Sequence, residues 1–272
     1  MTVPTITLNN GVEIPQLGFG VFQVPDDETE TAVSRALEAG YRSIDTAAIY
    51  GNERGVGRAL RASGIPREEL FITTKLWNSD QGAAAAAFEA SLERLDLEQL
   101  DLYLIHWPAP GKDRYAEAWT ALEELYAGGR VRAIGVSNFL PEHLGRIVDL
   151  GGTVPAVNQV ELHPALQQRE IVDADDELGI ATEAWSPLAQ GAILTNPTIT
   201  AIADRLGRTP AQVILRWHVE QGRVVIPKSV TPSRIAENFD LFGFALDTDD
   251  LAAIDALEAG DRTGPHPAEL NG

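Results

Sequence analysis

The chain has 272 residues, of which 44% are hydrophobic and 22% charged, a composition typical of a folded soluble protein with a sizeable core. Lysine and arginine total 21 against 40 acidic residues, and the net charge of −19 disfavours nucleic acid and anionic membranes as partners. The sequence contains no cysteine, which excludes disulfides, thiolate nucleophiles and cysteine metal sites. The first residues lack a basic segment followed by a long apolar one, so we expect a cytoplasmic protein without a membrane span.

The first predicted element is a β-hairpin. Residues 5–14 contain two short alternating segments separated by Asn10-Gly11, a pair typical of tight hairpin turns. A different, regular pattern begins only after this hairpin. We therefore expect residues 1–15 to form a plug or lid on the main fold.

Eight units of strand and helix follow. The predicted strands are short apolar runs at Gln16–Val21, Ser43–Thr46, Leu70–Leu76, Leu100–His106, Val131–Ser137, Ala156–Leu162, Ala181–Ser186 and Val224–Lys228. The predicted helices are amphipathic segments at residues 28–39, 53–63, 82–95, 115–128, 141–150, 167–178, 198–206, 210–221 and 232–240. Thr209 and Thr231 each precede a proline and are predicted N-caps. Four glycines are predicted to end helices in the left-handed conformation: Gly40, Gly64, Gly179 and Gly207.

This alternation favours a closed parallel (β/α)8 barrel of the TIM type. An open doubly wound sheet is the alternative, but the dinucleotide fingerprint G-x-G-x-x-G and the phosphate-binding P-loop are both missing from the sequence. No linker or low-complexity tract interrupts the pattern. We predict a single α/β domain over residues 1–272, with the hairpin at its start and a short tail at 260–272.

Four reactive side chains stand at or just past the ends of consecutive predicted strands: Asp45, Tyr50, Lys75 and His106. Such ends share one rim of a parallel sheet, so we expect the four to converge. A free tyrosine titrates near 10, but a neighbouring ammonium lowers its pKa and a carboxylate fixes the ammonium. The group can thus relay a proton, with His106 orienting the reacting oxygen or sharing the proton. A structural Asp45–Lys75 salt bridge and Schiff-base chemistry at Lys75, as in an aldolase, remain open as alternatives.

The segments around these residues resemble the aldo-keto reductases, and among them the bacterial 2,5-diketo-D-gluconate reductases. The resemblance runs from the hairpin to about residue 258 and rests on six motifs in matching order: Asp45–Glu53, Ile72–Trp77, Leu102–Pro108, Ile134–Phe139, Asn158–Pro164 and Ile226–Ser229. It implies a barrel reductase that uses NADPH without a Rossmann domain or a metal. Asp45, Tyr50, Lys75 and His106 would then be its catalytic tetrad, with Tyr50 as the general acid in reduction.

The resemblance also implies a nicotinamide site on strands five to seven. Ser137, Asn138 and Gln159 resemble the residues that hold the carboxamide. Trp185 offers a flat face for ring stacking where many relatives have tyrosine. The loop that follows resembles the family's pyrophosphate strap, through Ser186, Pro187, Leu188 and Gln190.

A basic cluster after the eighth strand predicts the adenosine 2′-phosphate site. Lys228 and Ser229 end that strand, and Arg234 lies in the first turn of the next helix. A cation there opposes the helix dipole by roughly 0.3–1 kcal/mol, so its presence in an acidic chain indicates a bound anion. Because NADH lacks the 2′-phosphate, such a site predicts a preference for NADPH over NADH. The remaining predicted cofactor contacts are Val230, Glu237 and Asn238.

Phe22, Trp77 and Trp107 follow the first, third and fourth strands and, with His106, are the predicted walls of the substrate pocket. Longer family members shape specificity with the tail, so a tail this short predicts an open, permissive pocket. We expect a monomer that reduces small aldehydes, ketones or keto-sugars, 2,5-diketo-D-gluconate or a similar dicarbonyl among them. A non-catalytic NADPH-binding regulatory subunit of the same fold is the further alternative.

Overall fold

A computed structural model of the protein describes residues 3–271. Met1, Thr2 and Gly272, at the outer ends of the predicted domain, lie outside the described residues. No helix within the described range is long and apolar enough to cross a membrane.

The predicted hairpin is present as an antiparallel pair, β1 (Thr5–Thr7) and β2 (Glu13–Pro15). Leu8 and Ile14 are buried in one apolar cluster with side chains at the starts of barrel strands, Phe71 among them. The hairpin therefore plugs the N-terminal end of the barrel, opposite the rim where the reactive residues were predicted to meet.

Eight parallel strands form one sheet in sequence order, as predicted. They are β3 (Phe19–Gly20), β4 (Ser43–Asp45), β5 (Phe71–Leu76), β6 (Leu100–Ile105), β7 (Val131–Ser137), β8 (Val157–Glu161), β9 (Ala181–Trp185) and β10 (Val224–Val225). Every residue of β5, β6 and β8 is buried, as expected of strands covered on both faces.

The sheet closes between its first and last strands. The amide of Val225 donates to the carbonyl of Gln16 at 2.9 Å, and the amide of Gly18 donates to the carbonyl of Val225 at 2.9 Å. Leu17 and Val225 form a parallel bridge. These contacts make a barrel and exclude the open-sheet alternative.

Both closing strands are shorter than the predicted Gln16–Val21 and Val224–Lys228. Pro227 has no amide hydrogen and cannot continue the ladder. The regular ladder therefore ends at β10, although the carbonyl of Pro227 still accepts a hydrogen bond from the amide of Gly20 at 3.1 Å, and the next residues line the cavity at the rim of the barrel.

Each predicted helix is present within a few residues of its predicted ends. The helices are α1 (Asp26–Ala39), α2 (Glu53–Ser63), α3 (Ala84–Leu95), α4 (Tyr115–Ala127), α5 (Pro141–Val148), α6 (Arg169–Leu178), α7 (Pro197–Leu206), α8 (Pro210–Glu220), α9 (Pro232–Phe239) and α10 (Thr248–Asp255). The four glycines predicted to end helices all adopt the left-handed conformation. Sequence analysis missed α10, which begins with Asp247 accepting a hydrogen bond from the amide of Asp250 at 2.9 Å.

Candidate active site

A cavity of about 940 Å³ opens at the C-terminal ends of the barrel strands. Its size suits a ligand larger than a single small metabolite. Most of the predicted site residues line it: Phe22, Asp45, Tyr50, Trp77, His106, Trp107, Ser137, Asn138, Gln159, Trp185, Ser186, Pro187, Leu188, Gln190, Lys228, Ser229, Arg234, Glu237 and Asn238. Lys75 is fully enclosed and does not line the cavity.

Lys75 and Asp45 form a buried ion pair at the ends of neighbouring strands. Lys75 Nζ lies 2.6 Å from Asp45 Oδ1 and donates to the carbonyl of Thr46 at 2.9 Å. Burial alone would lower the pKa of Lys75, but the charges of Asp45 and Tyr50 and the hydrogen bond to Asp45 together outweigh it and raise the pKa. Lys75 is therefore held as an ammonium in a site with little water.

Tyr50 ends a 3₁₀ turn, Ala48–Tyr50, that follows β4. The centre of its ring lies 5.2 Å from Lys75 Nζ. Burial raises the pKa of Tyr50, and Lys75 opposes this rise through its charge and a hydrogen bond. The net direction differs from the lowered pKa expected from sequence, because desolvation of the phenolate outweighs the attraction of the ammonium.

His106 follows β6 and has aromatic rings on two sides. Its ring centre lies 5.6 Å from that of Tyr50 and 5.3 Å from that of Trp77. Burial, reinforced by the charge of Lys75, holds the pKa of His106 well below its ordinary value. Nδ1 is buried without a partner among the described residues. The imidazole is therefore neutral near pH 7, with one ring nitrogen able to donate.

The predicted carboxamide residues form a connected network at the ends of β7 and β8. Asn138 Nδ2 donates to the carbonyl of His106 at 2.9 Å and to Ser137 Oγ at 3.0 Å. Ser137 Oγ donates to the carbonyl of Gln159 at 2.7 Å. The network fixes the side chains of Ser137 and Asn138 at the cavity wall before any ligand binds.

Gln159 connects this network to the charged pair. Its Nε2 donates to Asp45 Oδ2 and to Glu183 Oε2, both at 2.9 Å. Sequence reasoning missed Glu183. A signal was available, because Glu183 and Trp185 are two residues apart on β9 and therefore face the same side of the strand.

The backbone of the loop after β9 has a conformation that suits the predicted pyrophosphate strap. Ser186, Ala189 and Gln190 have φ of 48°, 48° and 53°, in the left-handed region. Such turns direct consecutive amides to one side, which is an arrangement that suits anions. The loop lines the cavity between Trp185 and the start of α8.

The basic end of the cavity lies at the N-terminus of α9. Lys228 and Arg234 line it and form no ion pair among residues 3–271. Thr231 was predicted to cap α9, but its side chain accepts no hydrogen bond from the first turn of the helix. Its own amide instead donates to Ser229 Oγ at 3.1 Å. The first turn of α9 thus keeps its backbone donors available beside two cations, whereas Thr209 caps α8 as predicted. Val230 does not line the cavity, and its side chain is 48% exposed.

The C-terminal tail forms a wall of the cavity that sequence analysis did not foresee. Its lining residues are Thr263, Gly264, Pro265 and Leu270. A side chain at Gly264 would place its Cβ 2.5 Å from the ring of Trp185, so only glycine permits this approach. The short tail therefore covers part of the pocket that was expected to be open, and no sequence periodicity marks this contact.

Glu161, at the end of β8, anchors the tail. Its carboxylate accepts hydrogen bonds from the amides of Thr263 at 2.6 Å and Gly264 at 3.0 Å. Arg262 lies 3.6 Å from the same carboxylate. Burial would raise the pKa of Glu161, but hydrogen bonds from His163 and Thr263 outweigh it and lower the pKa. His163 thus supports the anchor.

Comparisons with known proteins agree on one family. The model of the Aldo/keto reductase family matches residues 16–259. An aldo-keto reductase of Mycolicibacterium smegmatis is 57% identical over 98% of both chains, and methylglyoxal reductase DkgA of Escherichia coli is 52% identical over 100% of both. Among solved structures, a Gox0644 mutant in complex with NADPH superposes with a TM-score of 0.95 at 48% identity over 99% of both chains. An aldo/keto reductase from Brucella melitensis gives 0.91 at 52% identity over 94% of this chain and 100% of its own.

Proposed function

The chain belongs to the aldo/keto reductase family, and we propose that it is an NADPH-dependent oxidoreductase that reduces small aldehydes, ketones or keto-sugars through the four residues at the cavity floor. One observation supports this most directly. The cavity that contains the phenol of Tyr50, with the buried Lys75 ammonium 5.2 Å from its ring centre, also contains Lys228 and Arg234, which form no ion pair in the described part of the chain.

The charged and polar side chains that line the cavity match the phosphate and carboxamide groups of NADPH. Lys228 and Arg234, beside the uncapped start of α9, suit the 2′-phosphate, because neither cation has an ion-pair partner within residues 3–271 although the chain carries 40 acidic residues. Ser137, Asn138 and Gln159 suit the carboxamide at the opposite end. When bound, NADPH would supply the hydride for the carbonyl carbon.

Tyr50 would donate the proton to the carbonyl oxygen. Its raised pKa keeps the phenol protonated at neutral pH, so the donor form is ready. Lys75 stabilises the phenolate left behind, and Asp45 holds Lys75 in place at 2.6 Å. The ion pair thus acts when negative charge develops on the phenol.

His106 would orient the carbonyl oxygen toward Tyr50. Because its pKa is low, the imidazole is neutral and can donate one hydrogen bond without adding a charge to the pocket. The ring contacts with Tyr50 and Trp77 restrict its rotation. Orientation is therefore the role that the structure favours over proton transfer by an imidazolium.

The aromatic walls favour small substrates. Phe22, Trp77 and Trp107 face the tetrad, and the tail limits the opening on the other side. A relative with 52% identity is named for methylglyoxal reduction. Methylglyoxal, 2,5-diketo-D-gluconate and similar dicarbonyls are accordingly the substrates to test first.

A Schiff-base aldolase is less well supported. Such a reaction requires a neutral amine that reaches the substrate. Lys75 is fully buried and is paired with Asp45, and its pKa is raised. A regulatory subunit without turnover would have no use for a buried Asp45–Lys75 pair beside Tyr50.

The test is NADPH oxidation against a panel of aldehydes, keto-acids and diketo-sugars, with single-turnover oxidation of bound NADPH measured in parallel. We expect steady turnover with several small carbonyls. Tight NADPH binding with no oxidation would support the regulatory subunit. Borohydride trapping of a substrate adduct in the wild type but not in Lys75→Met would support the aldolase.

A further inference from the structure

Glu183 is a buried carboxyl group beneath the nicotinamide end of the cavity, and the tetrad does not include it. Glu183 is only 1% exposed. It lies on β9, and its side chain is directed toward the barrel interior. Glu183 Oε2 accepts a hydrogen bond from Gln159 Nε2 at 2.9 Å. The same nitrogen donates to Asp45 Oδ2 at 2.9 Å.

These two bonds determine how the amide of Gln159 is oriented. A side-chain amide nitrogen has two hydrogens, and here both are used by carboxyl groups on either side. Gln159 Oε1 is then the remaining polar atom of a residue that lines the cavity. An acceptor at this position matches the N–H₂ group of a carboxamide.

The charges around Glu183 are consistent with a neutral carboxyl. The titratable groups that face it are Asp45 on β4, Lys75 on β5 and Tyr50 on the turn after β4. Lys75 is already paired with Asp45 at 2.6 Å. Burial, followed by the charge of Asp45, raises the pKa of Glu183 against the opposing effects of Gln159 and Lys75. The carboxyl can thus accept from Gln159 without adding a second anion beside Lys75.

We propose that Glu183 is a positioning residue that fixes the side-chain amide of Gln159, so that Gln159 Oε1 faces the nicotinamide carboxamide while Gln159 Nε2 supports Asp45. This inference rests on the proposed use of NADPH. It adds to the tetrad a residue that acts through Gln159 and does not touch the substrate.

The test compares Glu183→Met, which keeps the volume but cannot accept the hydrogen bond, with Glu183→Gln, which can. In Glu183→Met we expect the Kd of NADPH and of NADH, measured by protein fluorescence, to rise by the same factor of about ten, because both cofactors share the carboxamide. Glu183→Gln should restore both constants to within about threefold of the wild type. Asp175→Leu is the matched control, because it removes another buried carboxyl, bonded to Asn158 and Thr182 away from the cavity. It should change the melting temperature and leave both constants unchanged.

Unchanged cofactor constants in Glu183→Met, or a rise for NADPH alone, would overturn the role of Glu183. The same holds if Asp175→Leu weakens cofactor binding as much as Glu183→Met does. If Glu183→Met fails to fold, Glu183→Leu provides the same measurement. A wild-type protein that neither binds nor oxidises NADPH would instead refute the proposed function itself.

Discussion

Trp185 donates a hydrogen bond from its indole Nε1 to Asn138 Oδ1 at 2.9 Å. Asn138 has φ of 62° and uses its Nδ2 for the carbonyl of His106 and for Ser137. The bond from Trp185 therefore ties the proposed stacking ring to the proposed carboxamide site. An aromatic side chain without a suitably placed N–H offers the flat face but not this connection.

Trp185→Phe should weaken NADPH binding by about five- to tenfold, because the ring face remains and one partly buried hydrogen bond is lost. Titration of protein fluorescence with NADPH measures the change. Trp107→Phe is the control, since Trp107 lines the same cavity and its indole nitrogen forms no hydrogen bond among the described residues. Equal effects of the two substitutions would mean that the bond to Asn138 contributes nothing.

Tyr50→Phe should lower kcat for carbonyl reduction by about 10²–10⁴-fold, the usual contribution of a positioned proton donor. The Kd of NADPH should stay within about twofold of the wild type, because no phosphate or carboxamide contact is assigned to the hydroxyl. Stopped-flow oxidation of bound NADPH separates the two quantities. Tyr126→Phe, far from the cavity, is the control, and near wild-type turnover in Tyr50→Phe would disprove the assignment of the acid.

His106 should make unfolding pH-dependent. Its pKa is well below its ordinary value in the folded protein, whereas the unfolded chain takes up the proton near pH 6.5. The unfolded state therefore binds more protons at mildly acidic pH, and the unfolding free energy contributed by His106 should fall by up to about 1.4 kcal/mol per pH unit below 6.5. Urea titrations at pH 7.5 and 5.5 should show a smaller difference in His106→Asn. An identical difference in both proteins would contradict a buried neutral imidazole.

Lys228→Met combined with Arg234→Gln should abolish most of the preference for NADPH over NADH. Each lost charged hydrogen bond to a phosphate is worth about 1.5–3 kcal/mol, so the loss of two should lower kcat/KM with NADPH by at least about 100-fold. The value with NADH, which lacks the 2′-phosphate, should change by less than about twofold. Lys112→Met is the control for loss of an exposed lysine outside the cavity. An unchanged NADPH/NADH ratio would mean that the 2′-phosphate binds elsewhere.

Glu161→Gln should release the tail from the rim. The new amide keeps one acceptor oxygen but presents an N–H₂ group to one of the two backbone amides, at a cost of about 1–3 kcal/mol for the unmade bond. We expect faster hydrogen exchange at Thr263 and Gly264 and a carbonyl KM that rises about five- to tenfold. Asp261→Asn, an exposed change in the same tail, should alter neither quantity. A KM equal to that of the wild type despite fast exchange would show that the tail does not contact the substrate.

The arrangement of the tetrad followed from sequence because it depends on strand register. Asp45 and Lys75 both end strands of one parallel sheet, and adjacent strands bring such ends within a few ångströms. The barrel itself could be predicted from a second pattern, the alternation of buried apolar runs with amphipathic helices. The basic cluster at the start of α9 was also noticeable in the sequence, because Arg234 is unfavourable there without a partner, and its role as an anion site stays a prediction.

What sequence analysis missed depends on pairs of distant residues. The proposed role of Glu183 depends on a hydrogen bond from Gln159, which lies 24 residues earlier in the chain. The tail has no strand or helix period, and its position is fixed by Glu161, about 100 residues earlier in the chain. Desolvation of Tyr50 likewise depends on packing that no local pattern encodes. By contrast, α10 did have a local signal in Asp247 and Asp250 at its start.

The wall formed by Thr263, Gly264, Pro265 and Leu270 comes from the last dozen residues of the chain. During synthesis on the ribosome, every strand of the barrel and both cations at α9 emerge before this wall exists. A product that ends early, or is clipped by a protease after α10, would still carry the parts assigned to cofactor binding and proton donation. It would lack the tail wall of the cavity, so we expect it to bind NADPH normally and to discriminate less between small and large carbonyl substrates.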